Sequence, residues 1–290
     1  MKISCVILNY NDAENTIAQI KRVCGYTCFD HIVVVDNCST DDSLEQLEAY
    51  ENQRVVVIRT DGNRGYGAGN NAGLYYSYEV LQATHAVIAN PDTEFDEECV
   101  QKLARLFHSH EELGVAAATM KDGQNGSQAS GWPLLPWFQD LLNTGPVCRR
   151  LFHKVLVYPE THFEGKRAAY VDVVHGSMLM ADLEKMISVG GYDERVFLYG
   201  EENMLGWKMR DMGWKTAQLL THTYFHQNSG TISKTYQSVS RRQRLRHESA
   251  IFYYRHYLHI NKIQLLFTRV FHEIVMFEIW FCGNVLHMTW

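Results

Sequence analysis

The sequence predicts an α/β fold: a mostly parallel central sheet flanked by helices, with a helical carboxyl-terminal extension. Three observations carry this expectation. Short apolar, β-branched runs alternate with helical periodicity over about the first 120 residues, as parallel strands joined by right-handed crossovers do. The run His31 to Val35 is apolar without alternation, which suits a strand buried on both faces. After "HTYFHQNSGT" the pattern turns helical to the end of the chain.

The elements follow in order. Ile3 to Leu8 is an apolar run ending in "NYND", and the helical stretch "AENTIAQIKRVC" comes next. The second strand ends at Asp36, and in "STDDSLEQLEAY" Ser39 is placed to cap a helix with Asp42 three residues later. "RVVVIRT" gives a third strand, followed by the glycine-rich "DGNRGYGAGNNAG" and a helical "LYYSYEVLQ". "HAVIA" gives a fourth strand and breaks at "NPD". Ligands of such sheets bind outside the carboxyl ends of the strands. That rule puts Asn9, Asp36, Arg64 and Asp92 at one edge.

Residues 121–170 are rich in Gly, Ser, Trp and Pro and read as a long loop with a short amphipathic helix. "YVDVVHGSMLMADLEKMISVGGYDE" returns to strand, glycine turn and helix. "FLYGEENMLGWKMRDMGWKT" then sets the adjacent carboxylates Glu201 and Glu202 at the start of an amphipathic helix.

Bulk properties exclude several classes. A chain of 290 residues, 46% hydrophobic and 21% charged, can bury a proper core. Its net charge of −6 argues against a nucleic-acid partner. Seven scattered cysteines without a C-x-x-C suggest reduced thiols and a cytoplasmic setting. The amino-terminal apolar run is too short for a secretory signal, and no uncharged apolar stretch is long enough to span a membrane.

Individual residues leave alternatives open. Gly67 to Ala72 fits G-x-G-x-x-A, but it follows the third strand, and no acidic residue ends a strand where ribose binding would need one. Those glycines more readily let backbone pass close to a ligand or another helix. Asp36 is either a helix cap or a hydrogen-bonding partner for a base or ribose. Asp92 is either a turn residue or a carboxylate for a hard cation that bridges two phosphates. Glu201 and Glu202 complement a helix amino terminus, or raise one another's pKa for general-base work. His226 is a core residue, a surface residue or a metal ligand.

As an ordered set the motifs are more specific. "CVILNYN", "VVVDNCSTD", "NRGYGAGNNAG", "IANPDTEFD", the long stretch from "VDVVHGSML" to "MRDMGW", and "HQNSGT" together resemble family 2 glycosyltransferases of the GT-A (Rossmann-like) fold. The likeness is to the bacterial rhamnosyltransferase-like branch, and it covers about residues 3–230. It implies residues 1–230 as a nucleotide-sugar-binding and catalytic domain, and 231–290 as a helical extension. It further implies inverting transfer from a nucleoside-diphosphate sugar with Mg2+ or Mn2+. The expected donor is dTDP-L-rhamnose, with a UDP-hexose as the alternative. The expected acceptor is a bacterial cell-surface polysaccharide or its lipid-linked precursor. A non-catalytic sugar-nucleotide-binding protein is the rival from another class.

The same resemblance assigns roles. Asp36 contacts the base, and Asn9, Arg64 and Asn90 lie with it in the donor-binding set. Asp92 binds the metal, with His226 as a further ligand. The family's Glu-Asp pair matches Glu201 and Glu202, of which Glu202 takes the position of the base. Two departures bear on sugar identity: Met204 replaces the second Asp of Glu-Asp-x-Asp-Leu, and "HGS" at His175 to Ser177 replaces the commoner Ser-Gly-Ala.

In the extension, apolar residues recur at 263, 266, 267, 270, 274, 277 and 281, which is helical spacing, while Gln264, Thr268 and His272 mark a polar stripe. Such a helix packs on the catalytic domain, on a second subunit in a homodimer, or on the inner face of the cell membrane. The basic cluster Arg241, Arg242, Arg244 and Arg246 lies nearby in sequence.

Overall fold

The structure is a computed structural model, described here over residues 1–122, 128–129, 131–227 and 238–284. The first half builds β1 (Ile3–Asn9), α1 (Ala13–Val23), β2 (His31–Asp36), α2 (Ser43–Glu48), β3 (Val55–Arg59), α3 (Tyr66–Tyr75), β4 (His85–Ala89), β5 (Thr93–Glu94), α4 (Glu97–Ser109) and β6 (Leu113–Asp122). The second half builds β7 (Gln128–Ala129), three short helices, α5 (Trp137–Thr144), α6 (Pro146–Leu151) and α7 (His153–Leu156), then β8 (Ala168–Val171) and β9 (Met178–Asp182). There follow α8 (Leu183–Ser188), α9 (Glu201–Asp211), β10 (Lys215–His226), α10 (Val239–His256) and α11 (Lys262–Asn284).

One mixed sheet runs in the order β3-β2-β1-β4-β9-β6-β10-β5, with β7 on β6 and β8 on β10. Pairing is parallel through β3, β2, β1 and β4, and again between β6 and β10. β9 lies between β4 and β6, antiparallel to both. β1, β2, β3, β4, β6 and β10 therefore all end at the same edge, and β9 starts there. β2 is buried from Ile32 onward because strands flank it and apolar layers cover both faces. One layer gathers Ile20, Leu103 and Phe107 from α1 and α4; the other gathers Leu74, Met186, Leu205 and Met209 from α3, α8 and α9.

Three local expectations change. The glycine-rich run is itself helical, since α3 starts at Tyr66. A Cβ at Gly69 would meet Leu8 Cδ1 at 2.5 Å, and one at Gly73 would meet Val6 Cγ1 at 2.4 Å. These glycines seat α3 on β1. Ser39 does not cap α2, which begins at Ser43; its hydroxyl accepts from Asn9 Nδ2 and from the Asn11 N–H. The described residues of 128–170 hold three short α-helices and a 3-10 turn at Glu160–His162 rather than one helix in a long loop; residues 123–127 and 130 lie outside the described set.

Candidate functional site

The strand-end edge opens into a cleft of about 920 Å³, within the size range of small-molecule sites. "NPD" forms its floor as a tight turn. Pro91 occupies the second position, where its restricted φ is favourable, and the Thr93 N–H donates to the Asn90 carbonyl at 3.1 Å. Thr93 Oγ1 donates to the same carbonyl at 2.7 Å. Beyond the turn, β5 pairs antiparallel with the end of β10, so that Thr93 stands opposite His226. The Gln227 N–H donates to the Asp92 carbonyl at 3.0 Å, which ties the two chain segments together.

This pairing brings His226 Nε2 to 3.3 Å from Asp92 Oδ1, both side chains lining the cleft. A carboxylate oxygen and an imidazole nitrogen at a cleft floor fit a divalent cation that takes its remaining ligands from phosphate and water. Among the described residues no three His, Cys, Asp or Glu side chains converge, so a closed protein cage is not the fit. The remainder of "HQNSGT", residues 228–231, lies outside the described set.

The carboxylate pair sits at the amino terminus of α9. Tyr199 and Gly200 both have left-handed φ, +73° and +83°, which turns the chain sharply into the helix. Glu201 is only 3% exposed, and its Oε1 has no hydrogen-bond partner among the described residues. Burial and the neighbouring Glu202 charge together hold the Glu201 pKa well above the ordinary carboxylate range. Burial raises Glu202 as well, opposed by its own and the Gly176 backbone N–H. Glu202 is the more accessible of the two.

The Glu201 shift has a stability consequence. Its folded-state pKa lies above the unfolded one, so folding is most favoured below the ordinary carboxylate range. That stability is lost as pH rises from there through the raised value. Glu201→Gln is therefore expected to raise Tm by roughly 2–4 °C at pH 8 and to change it little at pH 4. Melts of both proteins at both pH values check this.

Gly176 controls where Glu202 points. A Cβ at position 176 would lie 2.9 Å from Glu202 Oε1 and 3.2 Å from its Cγ. Gly176→Ala should therefore displace the Glu202 carboxylate.

Five of the eight residues singled out from sequence share the cleft: Asn90, Asp92, Glu201, Glu202 and His226. Asn9, Asp36 and Arg64 do not line it. Asn9 and Asp36 are opposite one another in the β1–β2 register, and both are fully buried. Asn9 Nδ2 donates to Asp36 Oδ1 at 3.0 Å, and the Ser39 N–H donates to Asp36 Oδ2 at 3.1 Å. Arg64 is exposed and pairs with Glu194 at 3.6 Å. The cleft wall there is formed by the next residues along the chain, Tyr10, Asn37 and Gly65. Side chains alternate at a strand end, so a one-residue step changes which side chain faces the ligand. Gly65 itself has φ +102°, and a Cβ there would meet the Phe197 carbonyl oxygen at 2.1 Å.

Sequence reasoning did not assign Tyr66, Trp132, Arg242 or Arg246 to the site, yet all four line it. Tyr66 OH donates to the Gly176 carbonyl at 2.8 Å and lies 3.0 Å from Asn90 Oδ1, linking the turn to the β9 start. Trp132 Nε1 donates to Asn203 Oδ1 at 2.8 Å, and its ring stands edge-on to His175 at 4.9 Å. Burial, then the nearby His226, pushes His175 down to about 4, so it is neutral at neutral pH. Arg246 lies 4.6 Å over the Tyr199 ring. The i, i+4 spacing of Arg242 and Arg246 was the available signal, since it puts both on one face of α10.

Comparison with known proteins bears on the family and the fold. The sequence model for glycosyl transferase family 2 matches residues 4–166. The "Low-salt glycan biosynthesis hexosyltransferase Agl10" of Haloferax volcanii is 27% identical over 201 residues, 69% of this chain and 59% of that one. The chain thus spans less than two thirds of that relative. The "N-acetylglucosaminyl-diphospho-decaprenol L-rhamnosyltransferase" of Mycobacterium tuberculosis is 22% identical over 222 residues, 70% of this chain and 68% of its own. In fold, the chain is similar to the mannosyltransferase PcManGT of Pyrobaculum calidifontis, solved with GDP-Man and Mn2+. The TM-score is 0.61 at 13% identity, over 94% of this chain and 69% of the other. The family match covers more than half of the chain, and the sheet with its strand-end cleft carries the fold: this protein belongs to glycosyl transferase family 2 and has a GT-A-like architecture.

Proposed function

We propose that the chain is a metal-dependent inverting glycosyltransferase that moves a sugar from a nucleoside diphosphate to an acceptor hydroxyl. The observation that carries this is one cleft holding two unlike pairs: Asp92 with His226 on its floor, and Glu201 with Glu202 at a helix start. In this reading the base end of the donor lies along Tyr10, Asn37 and Gly65, with Asn9 and Asp36 bracing that wall from behind. Residues 1–230 form the nucleotide-sugar-binding and catalytic domain. The extension 231–290 lends Arg242 and Arg246 to the cleft.

Asp92 and His226 would hold a Mg2+ or Mn2+ ion, which, when bound, offsets charge on the diphosphate. Glu202 accepts the proton of the acceptor hydroxyl on a carboxylate oxygen. The hydroxyl oxygen forms its bond to the anomeric carbon as the bond to the diphosphate breaks on the opposite face, so configuration inverts. Burial raises the proton affinity of both carboxylates, and the Glu202 charge raises that of Glu201 further. Trp132 and His175 wall the acceptor side from water. A chain that only bound nucleotide sugars would gain nothing from Glu201, whose buried Oε1, without a hydrogen-bond partner among the described residues, opposes folding.

The donor we favour is dTDP-L-rhamnose, supported by the likeness to the mycobacterial rhamnosyltransferase. A UDP-hexose is the second reading, supported by the Haloferax hexosyltransferase. The acceptor in either case is a cell-surface polysaccharide or its lipid-linked precursor. A thermal-shift screen of nucleotide sugars with and without Mn2+ tests this, because a ligand that binds only the folded state raises Tm by mass action. A shift with dTDP-L-rhamnose that needs Mn2+ is expected; no shift with any nucleotide sugar would overturn the reading.

A further inference from the structure

Helix α11 is turned inside out relative to an ordinary surface helix. Thr268, His272, Val275 and Cys282 form its buried face. Trp137 Nε1 donates to Thr268 Oγ1 at 3.0 Å, and the His272 ring stacks on His247 at 3.8 Å. The opposite face carries Ile263, Leu266, Val270, Ile274, Phe277 and Trp280, each between 53% and 80% exposed. A helix on a globular protein normally turns its apolar stripe to the core. Here Thr268 and His272 turn inward beside Val275 and Cys282, and the longer apolar stripe is left outside. Large side chains exposed by half along one stripe leave on the order of 500 Å² of apolar surface, enough to mark an interaction site.

The neighbouring short helices extend this surface. The Val147 N–H donates to Glu278 Oε1 at 2.6 Å, which fixes α6 beside α11. Leu151 and Val155 are exposed on α6 and α7. The charges around them are mainly basic: Arg149, Arg150, Lys154, Lys262 and Arg269, against Glu273 and Glu278 on α11. The chain as a whole carries a net charge of −6, so this excess is local.

We infer that the outward face of α11, with the adjoining α6 and α7, docks the protein on an anionic lipid bilayer. The 23 residues of α11 span ~35 Å, and lying in the interface plane they would sink the apolar stripe while the basic rim meets lipid phosphates. Among the described residues no helix is long and apolar enough to cross a membrane, so the helix lies on the bilayer. A second copy suits the face less well, because a two-fold contact would set the same basic rim against itself. The surface also serves the transfer reading. α10, which leads into α11, carries Arg242 and Arg246 at the cleft, and an acceptor anchored in lipid would be presented there.

Flotation of the full chain with phosphatidylcholine vesicles, with and without phosphatidylglycerol, tests the docking. The protein is expected to float with the anionic vesicles and to detach as salt rises. The combined variant Val270→Gln, Ile274→Gln, Phe277→Gln should lower partitioning by ~10-fold or more. Its Tm should stay close to that of the parent, because all three side chains are exposed. Absence of flotation with anionic vesicles would overturn the inference, as would flotation that the variant leaves intact. A concentration-dependent dimer that the variant dissolves, without vesicle binding, would assign the face to a second copy instead. Vesicle binding needs neither donor nor acceptor, so its failure leaves the transfer reading standing.

Discussion

Glu202→Gln is expected to lower kcat by ~10²–10⁴-fold while leaving donor binding nearly unchanged. The substitution keeps the shape of the side chain and removes its ability to take a proton. It also removes the charge that repels Glu201, so Tm should hold or rise. In the parent, kcat/KM should fall as pH drops through the raised pKa of the pair, which puts the acid limb above the usual carboxylate range of ~4.3. In the variant that limb should vanish from the residual rate. A pH–rate series on both proteins, with donor binding measured by calorimetry, checks each part. Turnover at parental rates would remove Glu202 from the role of base.

Asp92→Asn should weaken Mn2+-dependent donor binding by ~10²-fold and leave the fold intact, because the substitution keeps the backbone and Thr93 hydrogen bonds that hold the turn. The turn is held by Pro91 and by the two Thr93 donors on the Asn90 carbonyl, and its pairing to β10 uses the Asp92 carbonyl. The variant loses the anionic oxygen that faces His226 at 3.3 Å. The Mn2+-dependent thermal shift with donor should therefore disappear, while Tm without ligand should change by less than ~2 °C. Chelation of the parent with EDTA should reproduce the variant's loss of binding. A variant that binds donor as tightly as the parent with Mn2+ would release Asp92 from the metal role.

The order of strands and helices was readable because periodicity and turn chemistry are local properties. β1 to β4 and their crossover helices emerge from apolar runs broken at Asn9, Asp36 and Asn90. The candidate site was half readable for the same reason. Asp92, Glu201, Glu202 and His226 stand out as charged or ligating residues at element boundaries, where an α/β sheet exposes side chains to a ligand. Asn9 and Asp36 stand at such boundaries too, yet both side chains are fully buried and bonded to one another, a placement that the run of residue types does not reveal. Trp132 was hidden differently. It reaches the cleft through an isolated bridge to Val173 and a bond to Asn203, contacts between segments far apart in the chain.

By itself the sequence determined the α/β class, the strand-end edge at which the cleft opens, and the kinds of side chain offered there. Only tertiary structure decided which of those side chains meet. The 3.3 Å approach of Asp92 to His226 requires β5 to pair with the far end of β10. The raised proton affinity of Glu201 and Glu202 requires burial, and the HGS turn ahead of β9 is one segment that packs against Glu202. The direction of α11 is the plainest case. Helical spacing shows that an apolar stripe exists, but the partner of its other face sets where the stripe points. Here Trp137 and His247 hold Thr268 and His272 inward, and the longer apolar stripe is left facing out.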